Sequence, residues 1–230
     1  MSGRTVFVTG AYGLLGSWLA KALLARGDRV VALAYGDLPS ALTLEGTAAQ
    51  CTVVRGSVTD AALMLETIER HGVDTVFHLA AQTLVGPARE DPAATFDANV
   101  RGTWSVLDAC RRLDVPRTVV AASDKAYGPQ PDLPYREDAA LLPRYPYEAS
   151  KAAADLVAAA QESYDVALGR YRAGVGTVTD LMAAQSLLAN ATLQRIQARF
   201  RWNVAKLTRA RAVGLLDGDL FADAPDAPKK

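Results

Sequence analysis

The sequence predicts an α/β fold: a parallel sheet in strand order 3-2-1-4-5 with helices on both faces, followed by a long α-helical hairpin. Three observations predict it. Between residue 4 and about 122, short runs of β-branched and apolar residues alternate with stretches of helical spacing, the pattern of βαβ units rather than of hairpins. A glycine-rich segment, Thr9-Gly10-Ala11-Tyr12-Gly13-Leu14-Leu15-Gly16, joins the first such run to the first helical stretch. Beyond about Ala158 strand-like runs stop and only helical spacing remains.

Taken in order, the first strand is Thr5 to Thr9, and the first helix covers Leu14 to Arg26 and ends where Gly27 supplies a left-handed terminal residue. Arg29 to Tyr35 is apolar almost throughout, as a strand covered on both faces requires. Gly36 to Gln50, rich in small residues, fits a short helix or a loop equally well. Strand Cys51 to Arg55 follows, then a helix over Ala61 to His71 with Asp60 placed to cap it and Gly72 to end it. Strand Thr75 to Leu79, helix Pro92 to Leu113, strand Thr118 to Ala122 and a helix from Tyr147 complete the set. Right-handed crossovers between parallel strands give the order 3-2-1-4-5, a Rossmann-like sheet truncated before a sixth strand.

The C-terminal text is different. One helix is expected from Ala152 to about Tyr171, an interruption at Gly174 and Gly176, and a second helix from about Thr179 to Val213. Within the second, alanine recurs every seven residues at 184, 191, 198, 205 and 212, beside Leu193, Ile196, Phe200, Val204 and Leu207. Such a small-residue seam suits close helix packing, through which copies of the chain could associate as a homo-oligomer. The expected domains are residues 1–157 for the sheet, 158–216 for the hairpin and 217–230 for a frayed tail rich in Asp, Ala and Pro.

Composition narrows the function classes. Half of the 230 residues are hydrophobic and 22% are charged, enough for a substantial core. The 25 basic and 25 acidic residues balance, which removes the simple electrostatic case for a nucleic-acid or membrane partner and points to a small-molecule ligand. Arg195, Arg199, Arg201, Lys206, Arg209 and Arg211 make the late helix locally basic. Without interleaved aromatics or a recognisable module they read as a solvated face. No secretory leader precedes the first strand, and no apolar stretch reaches the roughly 18 to 20 residues of a membrane span, so a cytoplasmic chain is expected. Cys51 and Cys110, placed in a strand and a helix, read as reduced core residues.

Gly10, Gly13 and Gly16 have the spacing that turns a strand tightly into a helix and lets backbone N–H groups approach a pyrophosphate, which predicts a dinucleotide site. Asp37, twenty-one residues beyond Gly16, stands where an acidic group receives the ribose hydroxyls. Tyr35 occupies the place where an NADP-using chain would carry Arg, which favours NAD over NADP. Tyr147 and Lys151, four apart, project from one face of a helix. His78 reads as a strand-end packing residue, with no metal set around it in sequence.

Several further motifs stand in a fixed order: His78-Leu79-Ala80-Ala81-Gln82, Asn99-Val100-Arg101-Gly102-Thr103, Ala122-Ser123-Asp124-Lys125-Ala126-Tyr127-Gly128 and Tyr147-Glu148-Ala149-Ser150-Lys151. Over residues 4–157 the chain therefore resembles the extended short-chain dehydrogenase/reductases, in the NAD-dependent epimerase/dehydratase branch, and most the hexose 4,6-dehydratases of the CDP-glucose type. The resemblance implies an NAD site formed by Gly10, Tyr12, Gly13, Leu14, Leu15, Gly16, Asp37, Ser57, Val58, Leu79, Ala80, Ala81, Gln82, Asn99, Tyr147 and Lys151. Relatives carry Gly-Asp after the third strand where this chain has Gly56-Ser57, and a neutral hydroxyl accepts the adenine amine more weakly than a carboxylate does.

The resemblance also implies a catalytic set of Ser123, Tyr147 and Lys151, in which the ammonium lowers the Tyr pKa and binds the nicotinamide ribose while Tyr removes a hydroxyl proton. Asp124 is implied as the acid and Lys125 as the group assisting proton removal in a dehydration across C5 and C6 of a nucleotide sugar oxidised transiently at C4. Residues 158–216 resemble instead the last periplasmic hairpin of TolC-like outer-membrane efflux proteins, through Ala167 to Gly174, Asp180 to Gln185 and Arg195 to Phe200. Lacking that family's leader, barrel strands and partner hairpins, the segment is not expected to form a channel. An apparent chimera follows, expected to bind NAD and to turn over poorly for want of the family's substrate domain. The alternatives are a non-enzymatic helical interaction module or a fused frame without an evolved function.

Overall fold

The computed structural model describes residues 3–36, 39–130, 133–136 and 138–190. A five-stranded parallel sheet runs in the order β3-β2-β1-β4-β5, with β1 at Thr5–Thr9, β2 at Arg29–Ala34, β3 at Thr52–Arg55, β4 at Thr75–His78 and β5 at Arg117–Val120. Helix α1 (Leu14–Ala25) links β1 to β2, α2 (Ala41–Leu44) and a 3₁₀ turn at Thr47–Gln50 lead to β3, and α3 (Ala61–His71) leads to β4. Three helices, α4 (Val85–Glu90), α5 (Pro92–Phe96) and α6 (Gly102–Arg112), lie between β4 and β5, and α7 (Pro146–Arg172) follows β5. Residues 178–190 are helical.

Alternation along the strands builds two cores. Phe7, Val31, Leu33 and Val76 face α3 and α6, where they meet Met64, Ile68 and Val106. Their neighbours Val6, Val8, Val30 and Ala32 face the other way, onto Ala20, Leu23 and Leu42 from α1 and α2. The central strands are thus buried on both faces, which is why they read as continuous apolar runs. Each fully buried Phe or Val contributes about 1.5 to 3 kcal/mol by leaving water. A third cluster, Val100, Leu107 and Val157, seats α7 against α6.

Helix ends follow from their sequences. Asp60 caps α3 by accepting the Leu63 N–H at 3.0 Å, and Ser40 caps α2 by accepting the Thr43 N–H. Asp91 accepts the Ala94 N–H at 3.0 Å and so separates α4 from α5, and the carboxylate of Glu148 holds the N–H groups of Arg144 and Tyr145 at the start of α7.

Three differences from the sequence reading have local causes. The open segment Gly36 to Gln50 contains both a short helix and a 3₁₀ turn. The single helix expected over Pro92 to Leu113 is α5 and α6 joined by a π turn at Asp97–Arg101, and α4 precedes it where Gly86 and Pro87 had concealed a helix. Cys51 precedes β3 and is half-buried, whereas Cys110 is buried in α6 with its thiol pKa pushed up to about 11 by burial.

The junction expected at Ala158 falls inside α7, which is unbroken. Asp37, the alanines at 191, 198, 205 and 212, and the basic set from Arg195 to Arg211 lie outside the described residues. No described helix is long and apolar enough to cross a membrane.

Candidate functional site

Because the strands are parallel, the turns after β1, β4 and β5 leave the same end of the sheet. Between β1 and β4 the connections depart in opposite directions along the sheet, and a crevice opens at the carboxyl ends of such a pair.

The glycine turn forms one wall. Gly10 has φ +69°, and a Cβ there would lie 2.7 Å from the Ala80 nitrogen. At Gly16 a Cβ would lie 2.0 Å from the Gly10 oxygen, so α1 and the turn can close only on glycine. The Gly13 N–H donates to the Gly10 carbonyl at 2.9 Å, and among the described residues no side chain caps α1. Leu14, 86% exposed, and Leu15 turn their side chains to solvent, which leaves the first-turn backbone at the crevice. A turn cleared of Cβ atoms beside an uncapped helix N-terminus fits the pyrophosphate of a dinucleotide.

The other expected cofactor residues occupy a continuous neighbourhood. Tyr12 is half-buried and its phenol pKa is raised chiefly by burial. Ser57 does not point freely: its hydroxyl accepts the Thr59 N–H at 3.2 Å and shares a hydrogen bond of 2.8 Å with the Thr59 hydroxyl. The Val58 side chain belongs to the core, pressed against Gly102, where a Cβ would come within 2.6 Å of it. Leu79, Ala80, Ala81 and Gln82 form the half-buried chain leaving β4, and Tyr35, at the end of β2, is 77% exposed.

The second wall is the start of α7. Tyr147 lies one turn before Lys151, which is only 7% exposed. The Lys151 Nζ donates to the Ala121 carbonyl at 2.6 Å, just before the turn that carries Ser123. Burial lowers the Lys151 pKa, opposed by the nearby Asp155 carboxylate. Ser123 caps the 3₁₀ turn Asp124–Tyr127, accepting the Lys125 N–H at 3.3 Å, and that turn packs against α7. Asp124 and Lys125 are exposed at the mouth. Ser123, Lys151 and the turn of Tyr147 therefore meet at the end of β5.

Asn99, buried in the π turn, joins the walls. Its Oδ1 accepts the Gln82 N–H at 2.7 Å, and its Nδ2 donates to the Gln82 carbonyl at 3.0 Å and to the Ser150 hydroxyl at 2.8 Å. Sequence reasoning missed Ser150, Thr9 and Thr103, and placed His78 as packing alone. His78 is buried, with its Nδ1 2.7 Å from the Thr9 hydroxyl and its Nε2 3.0 Å from that of Thr103. Burial, and secondarily the Lys151 charge, pull its pKa down to about 3. Each of these residues lies in one of the motifs quoted above, but the motifs are far apart in the sequence and carry no sign of the links between them. Among the described residues no group of three or more His, Cys, Asp or Glu is arranged to hold a metal ion.

Comparison with known proteins agrees with this geometry. The family model described as the NAD dependent epimerase/dehydratase family matches residues 6–203. Among curated proteins the chain is 35% identical over 175 residues to dTDP-glucose 4,6-dehydratase of Xanthomonas campestris pv. campestris, covering 70% of this chain and 50% of that protein. It is 33% identical over 187 residues to CDP-glucose 4,6-dehydratase of Salmonella typhimurium, covering 75% and 52%. Among solved structures it is similar to UDP-glucose 4-epimerase from Brucella ovis in complex with NAD, at 31% identity and a TM-score of 0.60, over 72% of this chain and 48% of that one. The chain thus spans about half the length of these relatives.

Proposed function

Since the chain belongs to the NAD dependent epimerase/dehydratase family, we propose that it binds NAD across the carboxyl ends of β1 and β4 and processes a nucleotide hexose by 4,6-dehydration. One observation carries the reading: Lys151 is buried on the face of α7 that bears Tyr147 and is tied to the backbone immediately before Ser123. A lysine is rarely buried without a task or a partner, and this one stands where charge beside a phenol is useful. Asp124 and Lys125 beside Ser123 are what favour dehydration in this reading, since the similar proteins include both 4,6-dehydratases and a 4-epimerase.

In this reading the backbone of the glycine turn and of Leu14 and Leu15 receives the pyrophosphate, Asp37 the ribose hydroxyls, and Leu79 to Gln82 the nicotinamide side. NAD, when bound, would take the hydride from C4 and return it to C6 once water has left, with a proton returned to C5, so that the cofactor is regenerated. Tyr147 takes the proton from the sugar C4 hydroxyl, Ser123 hydrogen-bonds the same oxygen, and Lys151 lends positive charge to the phenolate. Asp124 protonates the departing C6 hydroxyl while Lys125 assists loss of the C5 proton. Asp124 and Lys125 are exposed where a bound sugar could reach them, and the Asp124 carboxylate accepts the Ser123 hydroxyl at 3.4 Å. Tyr35, in place of an arginine, supports NAD over NADP.

Calorimetric titration with NAD and NADP tests the first half, with Gly13→Val as control. Added bulk at Gly13 presses on the Gly10 carbonyl, since even a Cβ would lie 3.2 Å from it, and NAD binding should disappear. Binding untouched by that substitution would place the nucleotide elsewhere. Formation of a 4-keto-6-deoxy sugar from CDP-, dTDP- or UDP-glucose tests the second half.

A second reading rests on the exposed apolar residues of the late helices. Val166, Val175, Val178, Met182 and Leu187 are each more than half exposed, as expected of a surface on which two copies of the chain associate. Light scattering of the full chain against a Val178→Asp, Met182→Asp variant decides it, since a monomer in both cases would end the association reading.

A further inference from the structure

The buried polar groups between the two walls form one directional chain. Thr103 Oγ1 donates its only hydrogen to the Asn99 carbonyl at 2.6 Å. The 3.0 Å contact between Thr103 Oγ1 and His78 Nε2 must then be an N–H of the imidazole donating to the hydroxyl. A neutral imidazole has one N–H, so Nδ1 accepts, and the donor facing it at 2.7 Å is the Thr9 hydroxyl. Thr9 Oγ1 in turn accepts the Ala80 N–H at 3.2 Å. Every proton is used once between Ala80 and Asn99, and the ring tautomer follows without ambiguity.

From Asn99 the chain divides. Its amide clamps the backbone of Gln82 from both sides, and its remaining hydrogen goes to Ser150 Oγ. Ser150 donates its own hydrogen to the Tyr147 carbonyl at 2.7 Å. Thr9, His78, Asn99, Thr103 and Ser150 are all buried, where an orphaned donor or acceptor is costly and a completed network is stiff. The π turn at Asp97–Arg101 supplies the local widening that lets Asn99 face both Gln82 and Ser150.

We propose that His78 and Ser150 are positioning residues: through Thr9, Thr103 and Asn99 they hold the chain leaving β4 and the turn of α7 that bears Tyr147 in register with the glycine turn. Gly10 follows Thr9 directly and backs onto Ala80, so the relay begins at the pyrophosphate wall and ends at the reactive one. The role rests on the NAD reading above, because what it aligns is the nicotinamide half of the site against the adenylate half. A protonated His78 could not accept from Thr9, and a ring whose pKa is pulled down to about 3 stays neutral under ordinary conditions.

Two measurements test the relay. In the ¹⁵N-labelled wild-type chain the His78 ring should carry its proton on Nε2 with an unprotonated Nδ1. A proton on Nδ1, or an imidazolium at neutral pH, would overturn the proposal. Separately, Ser150→Ala should weaken NAD binding roughly tenfold while changing ADP binding less than about twofold, with Ser150→Thr restoring NAD affinity. Equal loss for NAD and ADP, as from general loosening, or no loss for either, would overturn it too. If the wild-type chain binds neither nucleotide the dinucleotide reading fails. The relay is then decided by the ring nitrogens and by whether Ser150→Ala shifts the amide resonances of Gln82 and Tyr147, unchanged amides counting against it.

Discussion

From Pro146 to Gln161, α7 buries Ser150, Lys151, Ala152, Ala154, Val157, Ala160 and Gln161, whereas from Glu162 to Arg172 the same helix buries no residue, and neither do residues 173–190. The backbone is continuous across the change. Alanine-rich sequence carries a helix past the core that stabilises it, since propensity costs little per residue and propagation is easy once a nucleus exists. Gln161 marks the border: its Nε2 donates to Asp165 at 3.0 Å, while its buried Oε1 has no hydrogen-bond partner among the described residues. Helical continuity and membership of the core are therefore separate properties, and only the anchored half carries site residues.

The comparison breaks most visibly if charge is forced into each half. Val157 is 1% exposed and packs with Val100 and Leu107, and Val157→Asp should cost about 4 kcal/mol, because it takes a carboxylate out of water into that apolar cluster. Urea denaturation of the full chain measures it. A loss under about 1 kcal/mol would mean that the first half of α7 is not anchored as described.

Acid should loosen the anchored half through His78. Its folded pKa is about 3 against an ordinary 6.5, so between those values the unfolded chain binds the extra proton. Stability is then complete above about pH 6.5 and falls as pH drops toward 3, with a slope near 1.4 kcal/mol per unit and a loss of about 3 kcal/mol by about pH 4. The charge that opposes protonation is the Lys151 ammonium. Denaturation midpoints of wild type and His78→Gln across this range give the test, and parallel curves would remove His78 as the source of the acid limb.

Lys151 should separate stability from binding. Its folded pKa is lowered, so the fold disfavours the charged form, and stability rises with pH in the window below its ordinary value of 10.5. Lys151→Met removes that penalty along with the bond to Ala121, and the two should offset to within about 1 kcal/mol at neutral pH. NAD affinity should nevertheless fall roughly tenfold, because a charge-assisted contact to the ribose is lost. Calorimetry and denaturation on one preparation measure both, and a binding loss matched by an equal stability loss would argue for a structural lysine.

How much of this was legible depended on how far apart the interacting residues lie. Apolar runs placed all five strands to within two residues, since burial on both faces leaves an unbroken hydrophobic text. Gly27 and Gly72 marked helix ends through left-handed backbone at φ +89° and +57°. The glycine turn and the Tyr147 and Lys151 pair were readable because their geometry is set by spacing along one segment. The one-residue insertion of the π turn does not disturb helical periodicity enough to be seen, and Gly86 and Pro87 read as loop. The relay was not legible: Thr9 and His78 are 69 residues apart, His78 and Thr103 are 25, and Asn99 and Ser150 are 51. The change of text near Ala158 corresponds to no break in secondary structure; burial ends a few residues later.

The smallest expected effect sharpens the contrast within α7. Val166 is 56% exposed, nine residues beyond Val157 on the same helix. Truncating it removes few contacts and replaces a β-branched residue by the strongest helix former, so Val166→Ala should leave stability within about 0.5 kcal/mol of wild type, with any gain coming from propensity. Val157→Ala, by contrast, removes the same atoms from a packed site, where lost transfer energy and the residual cavity add. Urea titrations of the pair compare the two halves with chemistry held constant. Equal losses at both positions would show Val166 to be covered in solution and would move the border of the core beyond Gln161.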